Sequence, residues 1–127
     1  MSNIPTSLKY TQDHEWIQLL PDGTARIGIT DHAQCSLGDI TYVDLPAVGK
    51  QLKKAQTLGV VESVKAASDI YMPVSAEIIE VNTDLSNSPQ RINEDPYEAG
   101  WMVRVRLSDA GEVGALLDAS AYQKLCG

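Results

Sequence analysis

The histidines and cysteines of this sequence are its most versatile ligands and nucleophiles, and two of them stand close together. His32 and Cys35 are three residues apart, with Asp31 beside them and the pair His14-Glu15 earlier in the chain. A spacing of three on a helix brings side chains to one face. Such a set could hold a metal ion or form a Cys/His nucleophile.

The sequence lacks the patterns that usually accompany such a site. It has two histidines and two cysteines, with no CxxC pair, no HExxH motif and no glycine-rich phosphate loop. We therefore interpret His32 and Cys35 as residues on one face of a short helix, with structural or surface roles. Cys35 and Cys126 are far apart, and we expect both to be reduced thiols, because a chain of this size needs no disulfide.

A different chemistry needs only one nucleophilic amine at an exposed bend, and Lys65 has that setting. It is the only basic residue in residues 59–73, where β-prone arms flank a short segment of small residues. Residues 66–68, Ala-Ala-Ser, are compact enough to turn the chain. The pattern predicts a β-hairpin that holds Lys65 out in water, where another protein can reach it.

The residues around Lys65 resemble a known attachment site. The run Glu62-Ser63-Val64-Lys65-Ala66-Ala67-Ser68-Asp69 is similar to the lipoyl-attachment segment of the glycine cleavage system H protein family, whose members are lipoyl carriers. The likeness extends from about Leu8 to about Leu125. The other similar blocks are residues 10–16, 27–34, 37–40, 42–46, 93–97 and 100–101.

The resemblance implies that Lys65 carries lipoic acid and that the cofactor does the chemistry while the protein presents it. The attachment motif would comprise Glu62, Ser63, Val64, Ala66 and Ser68. Glu62 and Ser63 either help the lipoylating enzyme to recognise the hairpin or only pack as strand residues. Biotin carriers typically place methionine on both sides of the lysine, and the lipoyl domains of 2-oxoacid dehydrogenases usually place aspartate before it. Neither pattern is present.

The resemblance also implies a shuttle that catalyses no step. The arm would receive an aminomethyl group from glycine decarboxylase, the pyridoxal-phosphate P protein. It would pass the methylene to a tetrahydrofolate-dependent aminomethyltransferase, the T protein, and would be reoxidised by dihydrolipoyl dehydrogenase, the L protein. Lipoylating enzymes complete the expected partners, and we expect a monomer with no nucleic-acid or membrane partner.

The loaded arm would carry a primary amine on a labile carbon, which has to be shielded from water. A carboxylate beside the ammonium would slow its loss, because a charge taken out of water needs a partner. Glu15 and Asp69 are the candidates, with simple surface acidity as the alternative for both. Two other functions stay open: an H-like protein that relays lipoyl groups to other proteins, and an unmodified interaction scaffold.

Composition fits a small carrier. The chain has 127 residues, with 10 basic and 17 acidic side chains, so its net charge is −7 and it has no basic stripe for nucleic acid. The acidity could steer encounters with basic surfaces or serve only solubility. No stretch is apolar enough to span a membrane. We expect a cytoplasmic protein, or a mitochondrial matrix protein whose targeting peptide has been removed.

The remaining patterns describe the scaffold. We expect one lipoyl-carrier domain over residues 1–127, with a loose lead-in at 1–7 and a core that is mainly aliphatic. The fold class is mainly β, which with the resemblance indicates a barrel-sandwich hybrid of the biotinyl/lipoyl carrier type. It would have an extra N-terminal hairpin, short helices and a C-terminal helix. The predicted segments are strands at 8–10, 15–20, 25–29, 39–45, 76–82 and 101–108, and helices at 31–37, 89–93 and 119–125.

Overall fold

The structure is a computed structural model of the chain and describes residues 4–126. Within this range the chain forms nine strands, four α-helices and one 3₁₀ helix. The strands are β1 (Lys9–Tyr10), β2 (Glu15–Leu19), β3 (Thr24–Ile29), β4 (Ile40–Asp44), β5 (Gln51–Leu52), β6 (Thr57–Ser63), β7 (Ala67–Tyr71), β8 (Ala76–Val81) and β9 (Val103–Leu107). The helices are α1 (Asp31–Leu37), α2 (Asp84–Asn87), α3 (Arg91–Glu94), the 3₁₀ helix (Ala110–Ala115) and α4 (Ala119–Cys126).

The strands form two antiparallel sheets. The larger sheet has the order β1-β2-β3-β9-β8-β5, and the smaller has the order β4-β6-β7. The predicted mainly β fold, with its N-terminal hairpin, short helices and C-terminal helix, is confirmed. Because β6 and β7 are neighbours in the small sheet, the segment around Lys65 is a hairpin at one end of that sheet.

The main core is aliphatic and draws on both sheets. Ile17, Ile27 and Val105 come from the large sheet, and Val43 and Val61 come from the small one. Side chains alternate along β2, so Ile17 points into this core and the preceding residue, Trp16, points to the opposite face of the sheet. A second cluster, here called the aromatic cluster, includes Tyr122 of α4, and its buried members are Leu8, Tyr10, Trp16 and Tyr122.

Local signals predicted two features correctly. The Pro21-Asp22-Gly23 turn joins β2 to β3, with Gly23 at φ +84°, a conformation that glycine adopts without strain. Helix α1 begins after Thr30, whose side chain accepts a hydrogen bond from the Ala33 N–H, and it ends at Gly38. The N-cap of α1 is therefore Thr30, the residue before the predicted helix 31–37.

Two predictions of local structure were wrong, and β4 departs from simple alternation. The helix expected at 89–93 is α3, Arg91–Glu94, which starts later because Ser88 is the C-cap of the preceding helix α2. The strand expected from Trp101 begins at Val103, and Met102 is buried although alternation had placed it on the polar face. In β4 a bulge between Ile40 and Tyr42 breaks the alternation. Ile40 and Val43 are therefore both buried, while Tyr42 is half exposed.

The N-terminal lead-in is described from Ile4 onward, and residues 1–3 lie outside the described range. Ile4 packs against the aromatic cluster, and the Pro5 carbonyl accepts a hydrogen bond from the Tyr10 hydroxyl. The two cysteines, Cys35 and Cys126, are free, as predicted. Among the described residues, no helix has the length and apolar character that crossing a membrane requires.

Candidate functional site

Lys65 lies in the turn between β6 and β7, and its side chain is exposed. The turn is Ser63-Val64-Lys65-Ala66, closed by a 2.8 Å hydrogen bond from the Ser63 N–H to the Ala66 carbonyl. The predicted turn at residues 66–68 was therefore placed too late, since Ala67 already pairs with Glu62 in the sheet. Val64 is 67% exposed, so two adjacent side chains at the tip face solvent.

The hydroxyl of Ser63 braces this turn. Its oxygen accepts hydrogen bonds from the N–H groups of Lys65 and Ala66, each at 3.2 Å, and it donates to the Ala66 carbonyl. Neither Val64 nor Lys65 has a positive φ, so the turn is not one of the types that two-residue hairpins favour. The serine side chain satisfies polar groups that such a turn would otherwise leave to water.

The end of α1 supports the tip from one side. The Val64 N–H donates to the Asp39 carbonyl at 3.1 Å. A Cβ placed on Gly38 would lie 3.5 Å from Lys65 Cε, so the lysine stem crosses this glycine. The other predicted motif residues lie in the strands: Glu62 is exposed and pairs with Tyr42, and Ser68 is half-buried.

A cleft of about 420 Å³ lies near the far end of β7. The β1–β2 turn and the residues after β7 form two of its walls, and the residues before α4 form another. Its lining comprises Tyr10, Thr11, Gln12, Asp13, Glu15, Lys54, Ala55, Tyr71, Met72, Pro73, Ala115, Leu116 and Leu117.

Glu15 is the buried charged group of this cleft, with only 1% of its surface exposed. Its carboxylate accepts a 2.6 Å hydrogen bond from the Thr11 hydroxyl and a 3.3 Å bond from the Tyr71 N–H. Burial disfavours the charged form and raises the pKa of Glu15 to about 7, although both hydrogen bonds oppose this shift. The cleft opens to solvent, and the Glu15 carboxylate at its wall is too buried to be fully hydrated. This arrangement suits a bound cation.

Comparison with known proteins gives a consistent result over nearly the whole chain. A family model described as "Glycine cleavage H-protein" matches residues 8–127. The chain belongs to the glycine cleavage H-protein family. The glycine cleavage system H protein of Aeromonas salmonicida is 56% identical over 98% of this chain and 97% of its own length. That of Opitutus terrae is 54% identical over the full length of both.

A solved structure agrees with this family membership. The crystal structure of a glycine cleavage system H protein from Mycobacterium marinum has a TM-score of 0.91 and 43% identity to this chain. The match covers 98% of this chain and 99% of the Mycobacterium marinum chain. Membership confirms the predicted role of a carrier component of the glycine cleavage system rather than one of its catalysts.

The second predicted shielding residue of this family member has a different setting from Glu15. Asp69 lies on β7 opposite Val60, and its side chain is exposed. It is not one of the residues that line the cleft. The roles of Glu15 and Asp69 toward a loaded arm stay predictions.

The structure adds a third member, Cys126, to the two histidines that the sequence offered as possible ligands. Cys35 is exposed, and its sulfur lies 4.0 Å from Asp31 Oδ1. The His32 ring lies against the His14 ring, with centroids 4.5 Å apart and planes tilted by 31°, and Cys126 of α4 completes a group of three. Burial and then the His32 ring lower the pKa of His14. No local signal in the sequence links Cys126 to either histidine, because their contact depends on the docking of α4.

Proposed function

We propose that Lys65 is lipoylated and that its arm carries the aminomethyl group and the electrons of glycine cleavage. The observation that carries this assignment is the exposed, braced turn: Lys65 stands in solvent while Ser63 and the Asp39 carbonyl hold the backbone on either side of it. A ligase needs an accessible amine on a rigid support. Among the described residues Lys65 forms no ion pair, so its amine is free to react.

The cleft around Glu15 is the proposed resting place of the loaded arm. Strand β7 leads from the turn to the cleft, and its four residue steps span roughly 13 Å. This span is comparable with that of an extended lipoyl-lysine side chain. An ammonium in the cleft would meet the Glu15 carboxylate, which would regain part of the solvation that it loses on burial.

The proposed partners are those of the shuttle cycle: the P protein as donor, the T protein as acceptor of the methylene and the L protein as oxidant, with lipoylating enzymes acting first. We also propose that residues 1–127 work as one carrier domain and as a monomer. The common core of the two sheets supports a single domain. The named relatives are bacterial, which favours the cytoplasm over a mitochondrial location.

Intact mass tests the attachment site directly. The chain, co-expressed with a lipoate ligase and supplied with lipoate, should gain the mass of one lipoyl group, and peptide mapping should place it on Lys65. Lys65→Arg should abolish the gain, whereas Lys50→Arg, on another exposed lysine, should leave it complete. A modified Lys65→Arg protein would refute the assignment.

Coupled turnover tests the shuttle. With purified P, T and L proteins, the lipoylated chain should support glycine-dependent reduction of NAD, and Lys65→Arg should not. Lipoyl transfer to other proteins without such turnover would favour the relay function. A chain that a competent ligase leaves bare would favour the scaffold.

A further inference from the structure

Three metal-ligating side chains meet where the β1–β2 turn, α1 and α4 come together. One ligand atom each from His14, His32 and Cys126 lie within 4.8 Å of one another, and all three residues are half-buried. The bond lengths of a tetrahedral zinc site imply ligand separations of roughly 3.4–3.7 Å. Side-chain movements of about 1 Å would therefore close the three atoms around one ion.

The backbone holds His14 in place. Its φ is +68°, a left-handed conformation that few non-glycine residues adopt. Its carbonyl accepts a 3.0 Å hydrogen bond from the Thr30 N–H, and its own N–H donates to the Thr11 carbonyl at 3.2 Å. These bonds fix the direction in which the imidazole leaves the chain, toward α1 and α4.

Tyr122 prepares the His14 ring for metal binding. The tyrosine hydroxyl lies 2.7 Å from His14 Nδ1 and 2.7 Å from the Thr30 hydroxyl. When Nδ1–H donates to Tyr122, which in turn donates to Thr30, the lone pair of His14 is on Nε2. Metal-binding histidines are commonly oriented in this way by a partner on the other ring nitrogen.

The third ligand is carried by the same helix face as this tyrosine. Cys126 follows Tyr122 by four residues in α4, so the two side chains project on one side. The Tyr122 ring is stacked on Tyr10, with centroids 4.6 Å apart and planes within 7°. The position of Cys126 relative to the histidines thus depends on a packed aromatic pair.

We propose that His14, His32 and Cys126 form a Zn²⁺ site with the fourth coordination position open to water or a small ligand. Two imidazoles and one thiolate are ligands of the borderline-soft class, which suits Zn²⁺ and excludes Mg²⁺ and Ca²⁺, whose ligands are oxygens. On binding, the Cys126 thiol releases its proton to solvent and its sulfur donates an electron pair to the metal. No oxidant or reductant is needed.

Such a site would join three separate parts of the fold. The ion would tie the last turn of α4 to α1 and to the β1–β2 turn, whose residues Thr11 to Asp13 form a wall of the cleft. Bound metal should therefore hold both α4 and that wall more firmly. The site does not involve Lys65, so its existence does not depend on lipoylation.

Cobalt provides the test, because Co²⁺ occupies zinc sites and reports its ligands optically. The full chain, reduced and stripped of metal with a chelator, should bind one Co²⁺ with a thiolate charge-transfer band in the near ultraviolet. One equivalent of Zn²⁺ should abolish the band. Zn²⁺ at about 100 times its Kd should raise the thermal midpoint of unfolding by about 5–10 °C.

Matched variants assign the ligands. Cys126→Ser should lose the charge-transfer band, and Cys35→Ser, which changes the other free cysteine, should keep it. His32→Gln should weaken binding by about 100-fold or more. Circular dichroism of the metal-free variants checks folding. If Cys126→Ser fails to fold, the affinity of His32→Gln, which keeps the Cys126 thiol, tests the site instead. The site is overturned by a band that survives Cys126→Ser, by a band that Cys35→Ser removes, or by an affinity weaker than about 1 mM.

Discussion

The carboxylate of Glu15 accepts a 3.3 Å hydrogen bond from the backbone N–H of Tyr71. Glu15 begins β2 of the large sheet and Tyr71 ends β7 of the small sheet, so this bond joins the two sheets at the cleft. It also connects the proposed resting place of the arm with the strand that carries the attachment turn. Glu15, the proposed partner of the cargo, is therefore supported by both sheets.

Removing this carboxylate should accelerate loss of cargo from the loaded arm. Glu15→Ala should increase the rate of spontaneous ammonia and formaldehyde release from aminomethyl-loaded, lipoylated protein by roughly tenfold, the effect of losing one hydrogen bond to a charged group. Asp69→Ala serves as the comparison, because Asp69 is exposed and outside the cleft lining. Equal release rates in wild type and Glu15→Ala would remove Glu15 from the mechanism, and a larger effect of Asp69→Ala would transfer the role to that residue.

The burial of Glu15 should make stability depend on pH. Burial raises the pKa of Glu15 to about 7 from its ordinary value of 4.5, so the folded state binds the proton more tightly than the unfolded state does. The free energy of unfolding should therefore fall as pH rises through the window from 4.5 to 7, by about 3 kcal/mol for this group.

Glu15→Gln isolates this contribution. The amide cannot ionise, and its oxygen can still accept the Tyr71 hydrogen bond. Urea unfolding of metal-free protein between pH 4.5 and 8 should show the variant gaining stability relative to wild type as pH increases. Parallel curves for the two proteins would show that the carboxylate is solvated in the folded state.

The sequence predicted the parts of the site that depend on local order. The arms of the hairpin and the exposure of Lys65 follow from β-prone residues around a small, polar bend. The turn itself was placed too late, because Val64 is β-branched and was assigned to a strand. The turn is stabilised by hydrogen bonds to the Ser63 hydroxyl. A contact made by one side chain leaves no periodic pattern in the sequence from which it could be predicted.

Features that depend on distant contacts were not predictable in this way. The bulge in β4 lies in its pairing with β6, and it leaves both Ile40 and Val43 buried. The group of His14, His32 and Cys126 exists because Tyr122 packs on Tyr10 and brings α4 over the β1–β2 turn. The side-chain periods of strands and helices, two and 3.6 residues, do not indicate which distant elements come into contact.

The brace at the attachment turn should matter for modification. Ser63→Ala removes the hydroxyl that accepts hydrogen bonds from the N–H groups of Lys65 and Ala66. The turn conformation should become less stable by about 1 kcal/mol. We expect kcat/KM for lipoylation of Lys65 to fall about fivefold, because fewer molecules present the lysine in the accepted geometry. Initial rates with purified ligase measure the effect.

Two further variants separate turn geometry from recognition of the motif. Ser63→Thr keeps the hydroxyl and should restore most of the rate. Ser68→Ala changes a motif residue within β7, outside the turn, and should have the smaller effect. If Ser68→Ala slows lipoylation as much as Ser63→Ala, the ligase reads the serines directly and the brace is not the cause.

The close approach of β4 and β6 behind the turn should tolerate no side chain at Gly59. A Cβ on Gly59 would clash with the carbonyl oxygen of Asp44, and backbone atoms cannot move aside as a flexible side chain can. Gly59→Ala should lower the free energy of unfolding by at least about 3 kcal/mol, measured by urea denaturation.

Gly114→Ala is the matched control, because nothing lies within 4 Å of its added Cβ, and it should change stability by no more than about 0.5 kcal/mol. Equal stability of the two variants would mean that the small sheet opens without cost at this point, and the rigid support proposed for Lys65 would then be absent.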